Sequence, residues 1–225
     1  MDVNNSEYWN NKWKKMPIVY HSRHFHGLDK FAVDVRNFIY NKDVVLEDLL
    51  KKIVRRRDTL EERAHKITKF VQKNIKYVSD TSLGVTEYWQ LPIETFYRGV
   101  GDCEDMSILI VTLLRLAGCP AHRIKVVAGL VKTGKNAETG GHAYPVFLRD
   151  DGEWVILDPC YYPNKLKITE RKPFREETNY LEIWFTFNDE YSWSQKTFKI
   201  KDRISDKEKP RKTSMLQNIM TRIKK

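Results

Sequence analysis

Apolar residues recur along the chain with two different periods, and the change of period divides it. Val44, Val45, Leu46, Leu49, Leu50, Ile53 and Val54 form one helical stripe behind Asp43, a residue type that caps helix starts. A second helix is predicted to open at Thr59, with Glu62 as the reciprocal partner of a capping box, and to run through Ala64, Ile67, Phe70 and Val71 toward Ile75. Pro92, Gly99 and Gly101 break the following stretch. Residues 103–117 are apolar on nearly every face, with Met106, Ile108, Leu109, Ile110, Val111, Leu113, Leu114 and Leu116. Such a helix lies buried inside its domain. Gly118 and Pro120 end it in the order expected of a C-terminus.

Beyond Pro120 the period becomes that of strands. Residues 123–131, 142–148 and 153–158 are β-rich, and Asp150-Asp151-Gly152 reads as a hairpin turn between the last two. Residues 180–187 form a further aromatic strand. Helices first and antiparallel strands second predict an α+β domain. Residues 1–42 are aromatic-rich without a clear period and read as an N-terminal extension. The domain is expected over 43–198, with a basic tail over 199–225.

Composition narrows this picture. With 41% apolar and 12% aromatic residues the chain can bury a full core, which excludes wholesale disorder. Three cysteines are too few for a disulfide scaffold among 225 residues. No apolar run approaches the ~18 residues of a spanning helix, and the first residues show no secretory pattern. A cytoplasmic protein is therefore expected. Of the net charge of +10, residues 199–225 hold +7, from ten Lys or Arg against three acids. Basicity thus belongs to the tail and does not mark a basic groove through the body. Within the tail, Met215, Leu216, Ile219, Met220 and Ile223 share one helical face behind Thr213 or Ser214. Burying that face outweighs exposed ion pairs, so 213–225 is expected to dock on its own domain or on a protein partner. Contact of the tail with nucleic acid or a membrane is the less favoured reading.

Candidate chemistry concentrates at Gly101-Asp102-Cys103-Glu104-Asp105, the start of the buried helix. The positive end of the helix dipole favours a thiolate there. Three neighbouring acids oppose it, so an imidazole is needed to activate the thiol. His142 heads one strand and Asp158 ends the next. Paired strands lie ~5 Å apart, close enough for an acid to hold one ring nitrogen while the other serves a thiol, the arrangement of acyl-transfer enzymes.

Trp89, Pro92, Glu94-Thr95, Gly101–Asp105, Leu113-Leu114-Arg115, Gly118, Gly141-His142-Ala143, Trp154 and Leu157-Asp158-Pro159 together resemble the transglutaminase-like superfamily, most of all its bacterial cysteine proteinases. The resemblance spans roughly residues 60–160. It implies a papain-like fold, with a central helix packed on an antiparallel sheet. It assigns Cys103 as nucleophile, His142 as general base and Asp158 as the orienting acid, and it suggests Trp89 or Gln90 beside the oxyanion or substrate. Some relatives bind calcium through acids next to the nucleophile, a role Glu104 and Asp105 would echo; no other cofactor is implied. The function expected is a cysteine peptidase acting on protein or peptide. The alternatives are a cross-linking transglutaminase and an inactive binding or assembly module, for example in a virus particle.

Other motifs carry less. Cys119 follows a helix end, where the dipole disfavours a thiolate, and Cys160 has no helix start behind it; both read as structural. His21, His24 and His26 are spaced like metal ligands but lack supporting cysteines, and a solvated loop is expected there. Gly129 to Asn136 nearly spells a phosphate loop, but it lacks the final Ser or Thr and a following helix, so its glycines are expected to serve turns.

Overall fold

The computed structural model describes residues 20–24, 30–83, 88–133, 138–162 and 166–194. The expected connector at 199–212 and the helix at 213–225 lie outside these residues.

The chain first forms a hairpin of β1 (Tyr20–His24) and β2 (Lys30–Asp34), with Tyr20 opposite Asp34 and His24 opposite Lys30. This corrects the loop reading of His21 and His24. A two-stranded ribbon is held by backbone pairing, so it forms without the apolar alternation of a half-buried strand. Next comes α1 (Val44–Ile53), where Asp43 Oδ1 accepts the Leu46 N–H at 2.9 Å. In α2 (Leu60–Asn74) the predicted capping box is complete: Thr59 Oγ1 accepts from the Glu62 N–H, and Glu62 Oε2 accepts from the Thr59 N–H. Both helices turn an apolar face inward, burying Leu46 and Leu50 from one and Ala64, Ile67 and Val71 from the other, while Val44 and Val45 of the expected stripe stay exposed.

Two short parallel strands, β3 (Lys76–Tyr77) and β4 (Val100–Gly101), bracket α3 (Pro92–Arg98). The sequence reading treated Pro92 only as a breaker. Here it opens a helix, because the first helical position has no N–H partner to lose. Glu94 Oε2 accepts the Leu91 N–H at 2.6 Å and closes the start.

α4 (Cys103–Leu116) is the buried helix. Residues 108–111, 113 and 114 have no exposed surface. Each such Leu or Ile contributes roughly 1.5–3 kcal/mol by its burial. The helix packs against α1, α2 and α3 on one side and against β5 (Ile124–Thr133) and β6 (Glu138–Leu148) on the other. With β7 (Trp154–Ile156), β8 (Tyr180–Phe187) and β9 (Ser192–Ser194) these strands make an antiparallel sheet of order β7-β6-β5-β8-β9. The predicted α+β architecture, a central helix on an antiparallel sheet, is the one observed. The strand expected over 123–131 is observed as β5, and Gly129 lies inside it rather than in a turn, opposite His142 on β6 and Ile183 on β8.

Candidate active site

Cys103 is the first residue of α4, directly after β4. Gly101 makes this entry possible, since a Cβ there would stand 2.7 Å from the Asp105 Cβ. Asp105 Oδ2 accepts the Asp102 N–H at 3.3 Å, fixing the first turn. Ser107 Oγ lies 2.6 Å from the Cys103 carbonyl and 3.1 Å from that of Ala143, tying this turn to β6. The Cys103 thiol donates to Glu104 Oε2 at 3.0 Å. Burial and then Glu104 push that thiol well above its ordinary pKa, while the Ala143 backbone N–H, donating to the sulfur, acts the other way. The thiol therefore sits against the middle of β6, beside the residue that follows His142.

His142 is buried on β6, and its Nε2 is 2.8 Å from Asp158 Oδ2. Asp158 follows β7 where Leu157 N–H still bonds the Pro145 carbonyl at 2.9 Å, which holds the chain alongside β6. The carboxylate has no exposed surface. Its Oδ1 accepts the backbone N–H groups of Cys160 at 2.8 Å and Tyr161 at 3.3 Å, a turn that Asp before Pro favours. The Tyr161 ring stands 4.7 Å from the imidazole. Tyr77, half exposed at the end of β3, is close enough to Cys103 and Tyr161 that these, after burial, push its phenol upward. His142 and Asp158 thus meet between β6 and the end of β7, and the first turn of α4, which carries Cys103, is tied to β6 at Ala143.

The acids beside Cys103 divide into two groups. Asp80, Asp102 and Glu104 are all buried and present carboxylate oxygens within 4.8 Å of one another. Asp80 is itself held by the Tyr88 backbone N–H. Burial and then Asp102 drive the Glu104 carboxyl well above its usual range. So close a set of buried like charges is costly unless a cation joins it. Oxygen-only donors suit a hard divalent ion such as calcium. Asp105, paired with Glu104 in the sequence reading, faces elsewhere. Its Oδ1 accepts the Gln90 N–H at 2.7 Å and its Oδ2 the Gln90 side-chain amide at 2.6 Å. Burial and Asp102 push its carboxyl up to about 8.

Gln90 is fully buried by this pairing. Trp89 packs in the core, its ring edge-on to Phe38 at 5.3 Å and stacked on Phe187 at 5.7 Å. Cys119 is completely buried and pushed up to about 12 by burial. Cys160 lies nearer: its sulfur belongs to a close group with His142 and Asp158, and burial and Asp158 raise its thiol. Sequence reasoning missed Asp80, Tyr77, Tyr161 and Tyr180, whose hydroxyl donates to Asp158 Oδ2 at 2.9 Å. No local pattern marks them, since each reaches the site through the tertiary fold.

No curated protein sequence matches the chain. Calcium-bound Legionella pneumophila LapG is similar in structure, with a TM-score of 0.51 and 22% identity over 68% of this chain and 76% of that one. The EGTA-treated form of LapG gives a TM-score of 0.47 and 25% identity, covering 68% of this chain and 74% of the other. The likeness to the calcium-bound form shows a shared fold. The model of the transglutaminase-like superfamily matches residues 47–159, a span that contains Cys103, His142 and Asp158. With half its length matched in this way, the chain belongs to the transglutaminase-like superfamily.

Proposed function

We propose that this protein is a cysteine peptidase in which Cys103 attacks a peptide carbonyl, His142 moves the protons and Asp158 orients the imidazole. One observation carries the reading: the buried His142–Asp158 pair lies in mid-β6 next to Ala143, whose carbonyl shares the Ser107 hydroxyl with that of Cys103. Because Nε2 is engaged by Asp158, Nδ1 is the nitrogen that takes the thiol proton. The sulfur forms a bond to the carbonyl carbon, and backbone N–H groups of the first turn of α4 offer donors to the oxyanion. The C–N bond then breaks, the amine leaving with the proton from the imidazolium. Water, giving its proton to His142, cleaves the thioester and frees the acid.

Asp80, Asp102 and Glu104 are the residues that would hold a divalent cation, in keeping with the calcium-bound state named for LapG. When bound, such an ion supplies positive charge that offsets the carboxylates crowding Cys103. Two steps remain with the chain itself: His142 accepts the proton, and Ala143 N–H supports the anionic sulfur.

Incubation with casein, with and without calcium, tests the reading. Wild type is expected to release fragments and Cys103→Ala none. Equal cleavage by both would refute the role of Cys103. Incorporation of a fluorescent amine into intact casein without fragments would instead establish cross-linking. Neither product from either protein would favour a binding or assembly module.

A further inference from the structure

Asp158 has one contact that a Cys–His–Asp set does not require. Its Oδ2, the oxygen bound by His142, also accepts the Tyr180 hydroxyl at 2.9 Å. A carboxylate has about four acceptor positions, and here four donors fill them: His142 Nε2, Tyr180 Oη and the N–H groups of Cys160 and Tyr161. Tyr180 is the first residue of β8, opposite Val131, and the Lys132 N–H bonds the neighbouring Asn179 carbonyl at 2.8 Å. Its ring is set edge-on against Tyr144 at 4.6 Å and Phe174 at 6.2 Å. The hydroxyl is therefore delivered by a strand of the main sheet and locked by aromatic packing. It also comes from beyond residues 47–159, where the family pattern matches.

We propose that Tyr180 is a positioning residue that fixes Asp158, and through it the ring of His142, for the chemistry of Cys103. This rests on the peptidase reading for its consequence but not for its geometry. Two backbone donors restrain Oδ1 alone. Without the phenol, Oδ2 loses a donor fixed by the sheet and leans on the imidazole it has to orient, so carboxylate and ring can rotate together. A hydrogen bond to a charged, buried acceptor is worth more than a neutral one. Burial and Asp158 both raise the Tyr180 phenol, which keeps it a donor throughout the neutral range.

Tyr144 provides an internal control. It is fully buried against Tyr180, yet its hydroxyl has no hydrogen-bond partner among the described residues. The two Tyr→Phe changes thus remove the same atom from one aromatic cluster, and only one of those atoms touches Asp158.

The experiment compares wild type, Tyr180→Phe and Tyr144→Phe by the rate of Cys103 alkylation with iodoacetamide and by the low-field proton resonance of the His142 ring N–H bonded to Asp158. Tyr180→Phe is expected to slow alkylation roughly tenfold, the scale seen when an outer hydrogen-bond partner of an active group is lost, and to displace the resonance. Tyr144→Phe should change neither. Wild-type alkylation and an unmoved resonance in Tyr180→Phe would overturn the proposal, as would equal effects from both variants. If Tyr180→Phe does not fold, 3-fluorotyrosine placed at 180 keeps the ring and changes the donor strength. The resonance must then move, and its failure to do so would overturn the proposal as well. An unreactive Cys103 in wild type would count against the peptidase reading alone, since the resonance still reports the Tyr180–Asp158–His142 chain.

Discussion

Replacing Gly129 by Ala should damage the sheet that carries the site. A Cβ at 129 would stand 1.9 Å from the Glu182 carbonyl oxygen and 3.0 Å from its carbon, both backbone atoms of β8. Carbon–oxygen contacts rarely fall below roughly 3.3 Å, so the strands must separate by about 1.4 Å. That displacement breaks ladder bonds between β5 and β8 next to the register shift between Ala128 and Gly129. Overpacking strain of about 1–3 kcal/mol and two lost bonds at about 1 kcal/mol each give a destabilisation of about 3–5 kcal/mol. For a chain of this size each kcal/mol moves the melting temperature by about 2–4 °C, so Gly129→Ala should melt roughly 10 °C below wild type. The control is Gly140→Ala on β6, where a Cβ would meet nothing within 4 Å. It should be neutral, or stabilising by about 0.4–1 kcal/mol through the unfolded chain. Thermal unfolding followed by circular dichroism measures both. A Gly129→Ala melt within 2 °C of wild type, by the scale above, would refute the reasoning, as would an equal loss in Gly140→Ala.

Calcium at about a hundred times its dissociation constant should stabilise wild type by about 2.7 kcal/mol, read as a rise in melting temperature. Glu104→Gln should lose most of that rise, and Asp58→Asn, remote from the acid group, should keep it. Asp58 also sets an acid-dependent contribution. The Arg55 backbone N–H and then Lys66 hold its carboxyl below the ordinary range. Its stabilisation is complete above the unfolded carboxyl range near pH 4 and fades as pH falls through the lower native value. The melting difference between wild type and Asp58→Asn should therefore be largest near neutrality and close up in acid; a gap that stays constant with pH would contradict this.

Much of the fold was legible because its signals are local. The Thr59–Glu62 capping pair, the all-round apolar run of α4 and the strand at 180–187 are each written within a few residues, and the structure shows each in place. Local signals also placed Cys103 at a helix start and His142 and Asp158 on neighbouring elements. What escaped depends on approach through space. Gly129 falls within the strand expected over 123–131, yet nothing near it in sequence reveals that β8 passes so close to its Cα. α3 is only seven residues long and cannot show a stripe over several turns. Glu104 and Asp105 look equivalent side by side, yet successive helical positions point about 100° apart. One therefore joins Asp80 and Asp102, and the other turns to Gln90. Asp80 and Tyr180 arrive from a turn and a distant strand, so no motif announces them.

The central claim is that Cys103, activated by His142, is the reactive thiol. The chain has three cysteines, Cys103, Cys119 and Cys160, so the claim can be read site by site. Limiting iodoacetamide is added to the folded protein in calcium at neutral pH, and each cysteine's modification is counted by peptide mass spectrometry. Cys103 is predicted to react first and to lose that lead in His142→Ala, while Cys119 stays unmodified until the protein unfolds. Labelling that favours Cys160 over Cys103, or a Cys103 rate unchanged in His142→Ala, would contradict the account.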